Sequence, residues 1–122
     1  MSAARKRGAA VPETITRTLE AALEKQAKDL VVLDLRSVAS FTDFFVLATG
    51  ASQKQLVAIV DAILESLRQL HVRPDHVEGY PRQEWILLDY GSFVVHVFTP
   101  RMRGFYDLER LWGGAARVEL SL

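Results

Sequence analysis

The chain has 122 residues, 49% of them hydrophobic and 25% charged, with 15 basic side chains against 15 acidic ones. That is the size and make-up of one folded domain with a sufficient core. The even charge balance argues against broad binding to phosphate backbones, which depends on many basic contacts. The absence of cysteine rules out disulfides, thiolate zinc sites and a cysteine nucleophile.

The N-terminal run MSAARKRGAA is basic but has no apolar segment behind it, so it does not read as a secretory signal. Its Arg, Ser and Ala content has a faint transit-peptide character, but it is short for one. A frayed bacterial N-terminus is the better reading. No apolar run approaches the ~20 residues of a membrane span. Residues 1–12 are therefore expected to form a flexible tail, and residues 13–122 a single domain.

Thr14 to about Lys28 carries Ile15, Leu19, Ala22, Leu23 and Ala27 at helical spacing, with Pro12 and Glu13 suited to its start. Leu30 to Arg36 is rich in branched residues and predicts a strand. Asp43 to Thr49 is a nearly unbroken apolar run, the pattern of a strand covered on both faces. Ser52 opens a second helix, with Gln55 placed for a capping box and Leu56, Ile59, Val60, Ile63, Leu64 and Leu67 as its buried stripe. Val77 to Tyr80 suits a short edge strand, since Gly79 and Pro81 disfavour a central one. Trp85 to Asp89 and Phe93 to Phe98 flank a DYGS turn as a hairpin. Gly104 is expected to release a last short helix holding Leu108, Leu111 and Trp112, capped by Gly113 and Gly114. Ala115 to Leu120 is ambiguous between states. The whole predicts an α/β domain without repeats or linkers.

The hairpin carries the most information. With an even-length turn, Leu88 pairs with Phe93, Ile86 with Val95, Trp85 with His96 and Leu87 with Val94. Alternation then puts Ile86, Leu88, Phe93, Val95 and Val97 on a wholly apolar face. The other face holds Trp85, Leu87, Asp89, Val94, His96 and Phe98. A three-residue loop would mix these faces. A lone His in a strand is more often structural than a ligand, and Trp is often core. The two residues could thus lie under the first helix. An exposed Trp among aliphatic side chains would instead be a binding hot spot.

Other candidate chemistry is thin. His71, His76 and His96 lack metal-ligand spacing. The run TGAS at 49–52 could hold an anion at a helix start, but capping explains it equally well. Asp34, Asp43 and Asp89 sit on different segments, and solvated turns are their default. Arg101 and Arg103 suit a surface loop better than a phosphate clamp.

Taken together, SFTDFFVLATGAS at 40–52, VEGY at 77–80, EWILLDYGSFVVHVF at 84–98 and RGFYDLERLW at 103–112 resemble the Iojap family of ribosomal silencing factors (RsfS). The likeness spans about Leu30 to Trp112, with Phe44 where Tyr is common and Ser92 where Asp is common. It implies a mixed β-sheet with helices packed on it, distantly similar to a nucleotidyltransferase fold. It also implies a non-enzymatic protein without cofactor or metal that binds the large ribosomal subunit through its L-fourteen protein. Such a protein blocks subunit joining and represses translation under nutrient limitation. Homodimers and a cytoplasmic location belong to the same expectation. A neutral chain could dock on a basic ribosomal protein through apolar and acidic groups. The candidate contacts are Trp85 as anchor, Leu87, Val94 and His96 around it, Glu78 and Asp89 as acidic partners, and Tyr106 and Glu109 as an extension. Two alternatives stand beside this one. A nucleotidyltransferase-like enzyme would need paired carboxylates for Mg²⁺, where the strand offers Asp89 alone. A purely self-associating domain would use the same apolar face.

Overall fold

Two helices and a sheet account for most of the chain's apolar residues. The computed structural model describes residues 11–120. The tail expected over 1–12 lies outside these except for Val11 and Pro12. The elements are α1 Glu13–Glu24, β1 Lys28–Asp34, β2 Phe44–Thr49, α2 Gln53–Arg68, β3 His76–Glu78, β4 Trp85–Asp89, β5 Phe93–Phe98, α3 Pro100–Tyr106, α4 Leu108–Leu111 and β6 Ala116–Arg117. The six strands form one mixed sheet in the order β3-β4-β5-β2-β1-β6. Only β2 and β5 run parallel among the pairs described, and α2 lies in the connection between them.

The first helix stops earlier than its periodicity suggests. Gln26 takes a left-handed conformation (φ 62°), and the amides of Gln26 and Ala27 donate back to the carbonyls of Leu23 and Ala22. This closes the helix in a Schellman motif and frees Lys28 to begin β1. Ser52 caps α2 as expected, its Oγ accepting from the Gln55 amide at 3.1 Å. The Gln55 side chain accepts from Ala51 N–H and donates to the carbonyls of Lys25 and Gln26, so one residue caps one helix and anchors the end of the other. The Tyr80 hydroxyl donates to Asp61 and ties the end of β3 to α2.

Gly104 does not release a helix. It sits inside α3, which Pro100 starts, and the break comes at Asp107 (φ 47°), after which α4 begins. Short polar side chains tolerate this left-handed geometry better than most. The ambiguous segment after Ala115 supplies β6, paired antiparallel to β1.

The hairpin register differs from expectation by two residues. Trp85 pairs with Phe98, Ile86 with Val97, Leu87 with His96, Leu88 with Val95 and Asp89 with Val94. Gly91 takes the positive φ (86°), so the tip is the tight turn Gly91–Ser92 and Tyr90 stays extended, stacked on Phe93. A shift of two preserves the alternation, and both faces contain the expected residues. Ile86, Leu88, Phe93, Val95 and Val97 pack with α1 and α2. Val94 and Phe98 pack on the other side with Phe45, Leu47 and Leu108, flanked by Trp85, Leu87 and Trp112.

A candidate partner-docking face

The side of the sheet away from α1 and α2 changes character across its width. Pairing aligns Glu78, Leu87, His96 and Leu47 in one row, and His76, Asp89, Val94 and Phe45 in the next. In both rows burial increases from the β3 edge inwards. Glu78 and His76 are exposed, Leu87 and Asp89 half-buried, and Val94 and His96 buried. The inner strands lie beneath Leu35, Met102, Leu108 and Trp112. Toward β4 and β3 the surface is accessible.

Trp85 stands at the boundary. Its indole stacks on Phe98 (centroids 5.1 Å apart) and meets the ring of Tyr106 at 4.5 Å. The indole N–H donates to His96 Nδ1 at 3.1 Å. It is half-buried and packs beside α3, on the face opposite the first helix. An aromatic ring pinned on one side and accessible on the other is a low-entropy contact surface.

His96 is only 3% exposed. Because its Nδ1 accepts from the indole, the neutral ring carries its proton on Nε2, which has no hydrogen-bond partner; the ring meets that of Phe45 edge-on at 4.5 Å. Burial disfavours the charged form and pushes its pKa down to about 3. His96 therefore orients the indole from beneath. This corrects its place among direct contacts, and the same holds for Val94, which is buried between strands.

Glu109, half-buried on α4, has partners within the molecule. Its carboxylate accepts from Arg103 Nε at 3.0 Å and Nη2 at 3.1 Å, with Arg117 at 3.6 Å. The Arg103 hydrogen bonds hold its pKa below the usual carboxylate range. Arg103 is buried, not part of a surface loop as expected. Tyr106 is 43% exposed and remains available beside Trp85.

Three features went unnoticed in the sequence. Phe41 and Phe105 are exposed at 60% and 76% around the same covered region, where Phe41 meets Trp112; Leu111, expected to sit with Leu108 and Trp112, is instead 71% exposed. The left-handed break at Asp107 turns Phe105 and Leu111 outward, and helical spacing alone conceals it. Asp75 adds a third carboxylate near Asp89, since its amide donates to the Asp89 carbonyl at 2.7 Å. The Asp89 carboxylate itself accepts from Gly91 N–H.

Among the described residues no three His, Asp or Glu side chains gather as a metal site. Asp34 is buried and chelated by Arg36 at 3.0 and 2.7 Å, not solvated as expected. At the TGAS turn the Gln55 side chain takes up the Ala51 amide, and Ser52 Oγ takes up the Gln55 amide of the helix. A hollow of about 670 Å³ between α1 and α2 shares no residue with the hairpin face.

The sequence matches the profile of the family described as ribosomal silencing factor during starvation (RsfS) over residues 9–122. The chain belongs to that family. It is 35% identical over 109 residues to ribosomal silencing factor RsfS of Halalkalibacterium halodurans, covering 89% of this chain and 93% of the relative. It is 33% identical over 92 residues to mouse mitochondrial assembly of ribosomal large subunit protein 1, covering 73% of this chain and 40% of that one. A crystal structure from Chromobacterium violaceum superimposes with a TM-score of 0.80 at 35% identity, over 83% of this chain and 84% of that one. The mixed sheet and its helices are thus a family architecture, and the role is a ribosome-associated one in translational silencing.

Proposed function

We propose that this protein docks on the large ribosomal subunit through its L-fourteen protein and prevents the small subunit from joining by occupying the surface it must contact. The observation carrying this reading is Trp85, half-buried at the border between the covered and open parts of the sheet and held by Phe98, Tyr106 and His96. Leu87 extends the apolar surface, and Glu78, Asp89 and Asp75 give its β3 side an acidic rim suited to Lys and Arg of a ribosomal protein. Steric exclusion needs no turnover, and the relatives are named as silencing factors. The names of bacterial relatives support a cytoplasmic site of action. The homodimer implied by the family resemblance would use the same apolar surface.

Sedimentation through a gradient with isolated subunits tests this. The protein is expected to follow the large subunit, and Trp85→Ala to weaken that association by about a hundredfold, as for an interface hot spot. Leu23→Ala, on the outer side of α1, serves as the control with unchanged binding. Circular dichroism checks that each variant is folded. Undiminished binding by folded Trp85→Ala would remove the indole from the interface. Association that grows with protein concentration, with no co-sedimentation when large subunits are added, would favour a purely self-associating domain.

A further inference from the structure

The one guanidinium buried among the described residues joins segments that are far apart in the chain. Arg103 Nη1 donates to Thr49 Oγ1, at the end of β2, at 2.7 Å. Nη2 donates to the carbonyl of Asp29 at 2.8 Å, which the irregular start of β1 turns outward (φ 53°). Nε and Nη2 together grip the Glu109 carboxylate in a fork. Most of its N–H donors are used, and planar, bidentate geometry of this kind fixes orientation as well as distance.

The grip depends on a backbone break. Six residues along an unbroken helix turn a side chain by about 240° and carry it about 9 Å up the axis, so Arg103 and Glu109 could not meet. The left-handed Asp107 between α3 and α4 folds the second helix back and brings Glu109 onto Arg103. Helices as short as Pro100–Tyr106 and Leu108–Leu111 do not hold themselves in place. Phe105, Tyr106 and Leu111 are exposed, which leaves Met102, Leu108 and Trp112 as the apolar anchors.

We propose that Arg103 is a positioning residue for the docking face: by holding Glu109, Thr49 and the Asp29 carbonyl at once, it sets the α3–α4 strap where Tyr106 packs on Trp85. This rests on the docking reading above and adds what determines the shape of that face. Arg103 touches no partner. It acts through the Tyr106–Trp85 contact, and its loss would let the strap move and uncover the indole.

The experiment uses the full chain carrying Trp112→Phe, so that emission reports Trp85 alone. Arg103→Met is expected to raise acrylamide quenching of that emission about twofold, with no ribosome present, and to weaken large-subunit binding about tenfold. Tyr106→Ala is expected to raise quenching similarly, and adding Arg103→Met to it should cost little further binding, because both act through one contact. A residue that only added global stability would lower the melting temperature but leave quenching and affinity of the folded protein unchanged, and that result overturns the proposal. So do fully additive losses in the Arg103–Tyr106 pair. Should Arg103→Met fail to fold, Glu109→Gln keeps the Thr49 and Asp29 contacts and should show the same quenching rise at smaller size; unchanged quenching there also overturns it. If the unsubstituted protein does not follow large subunits, the docking reading fails. Quenching without ribosomes then still distinguishes a strap held by Arg103 from one that is not.

Discussion

On one side of the sheet, α1 and α2 close over Ile86, Leu88, Phe93, Val95 and Val97 with mainly apolar side chains, the buried Thr18 of α1 donating back to the Thr14 carbonyl. On the other, the short α3 and α4 cover only the inner strands and are pinned by polar groups. Arg103 bonds to Glu109 and Thr49, and His96 to Trp85. Long amphipathic helices bury area, and area is what stabilises a fold. Buried polar pins contribute less net energy but specify one arrangement, because a lost partner leaves a costly unsatisfied group. The first side is organised for stability and the second for presenting a defined surface. Under the docking proposal, the same chain separates holding together from meeting a partner by assigning them to opposite faces.

This contrast can be broken at several points. The largest effect belongs to the closed side. Ile63, fully buried on α2, should cost about 3 kcal/mol when changed to Ala, measured by urea unfolding, while the folded fraction binds large subunits normally. A loss below about 1 kcal/mol would mean that this side is not the main source of stability.

On the pinned side, pH is the sharper probe. His96 stays neutral in the fold down to about 3, whereas the unfolded chain takes up a proton near the ordinary value of about 6.5. Its contribution is therefore present above about pH 6.5 and is lost as pH falls toward 3. Between pH 7 and pH 5 this one group should lower stability by about 2 kcal/mol. His96→Asn, which keeps an acceptor for the indole N–H, should remove that part of the pH dependence. An equal slope in wild type and variant would show that the imidazole takes up its proton in the fold as readily as in the unfolded chain.

The smallest effect is expected at the rim. Glu78 is exposed at the sheet edge, so Glu78→Lys should alter stability by no more than about 0.5 kcal/mol. It should nevertheless slow association with large subunits, and raised salt should shrink the difference. Unchanged association rates at low salt would take Glu78 out of the acidic rim.

Much of the closed side was legible from spacing. The α2 stripe, Ser52 with its capping glutamine, and the two hairpin strands follow from period and cap chemistry, which are local. The hairpin faces survived an error in register because the error was an even number of residues. The pinned side was less legible. Trp85, Leu87 and Asp89 share one face as the alternation implied, but nothing local distinguishes His96 and Val94, which are buried, from Leu87, which is half-exposed. That depends on how far the α3–α4 strap reaches across the sheet. Arg103 was misplaced for the same reason, since its partners Thr49 and Asp29 are distant in sequence.

From sequence alone came the α/β class, the two unlike faces of the hairpin and the family, because these rest on periodicity and motif order. The tertiary structure decided the rest: the turn at Gly91, the break at Asp107, the burial of His96 and the capture of Glu109 by Arg103. Each depends on a left-handed backbone torsion or on a contact between distant segments, whose energy is settled only when the chain has closed on itself.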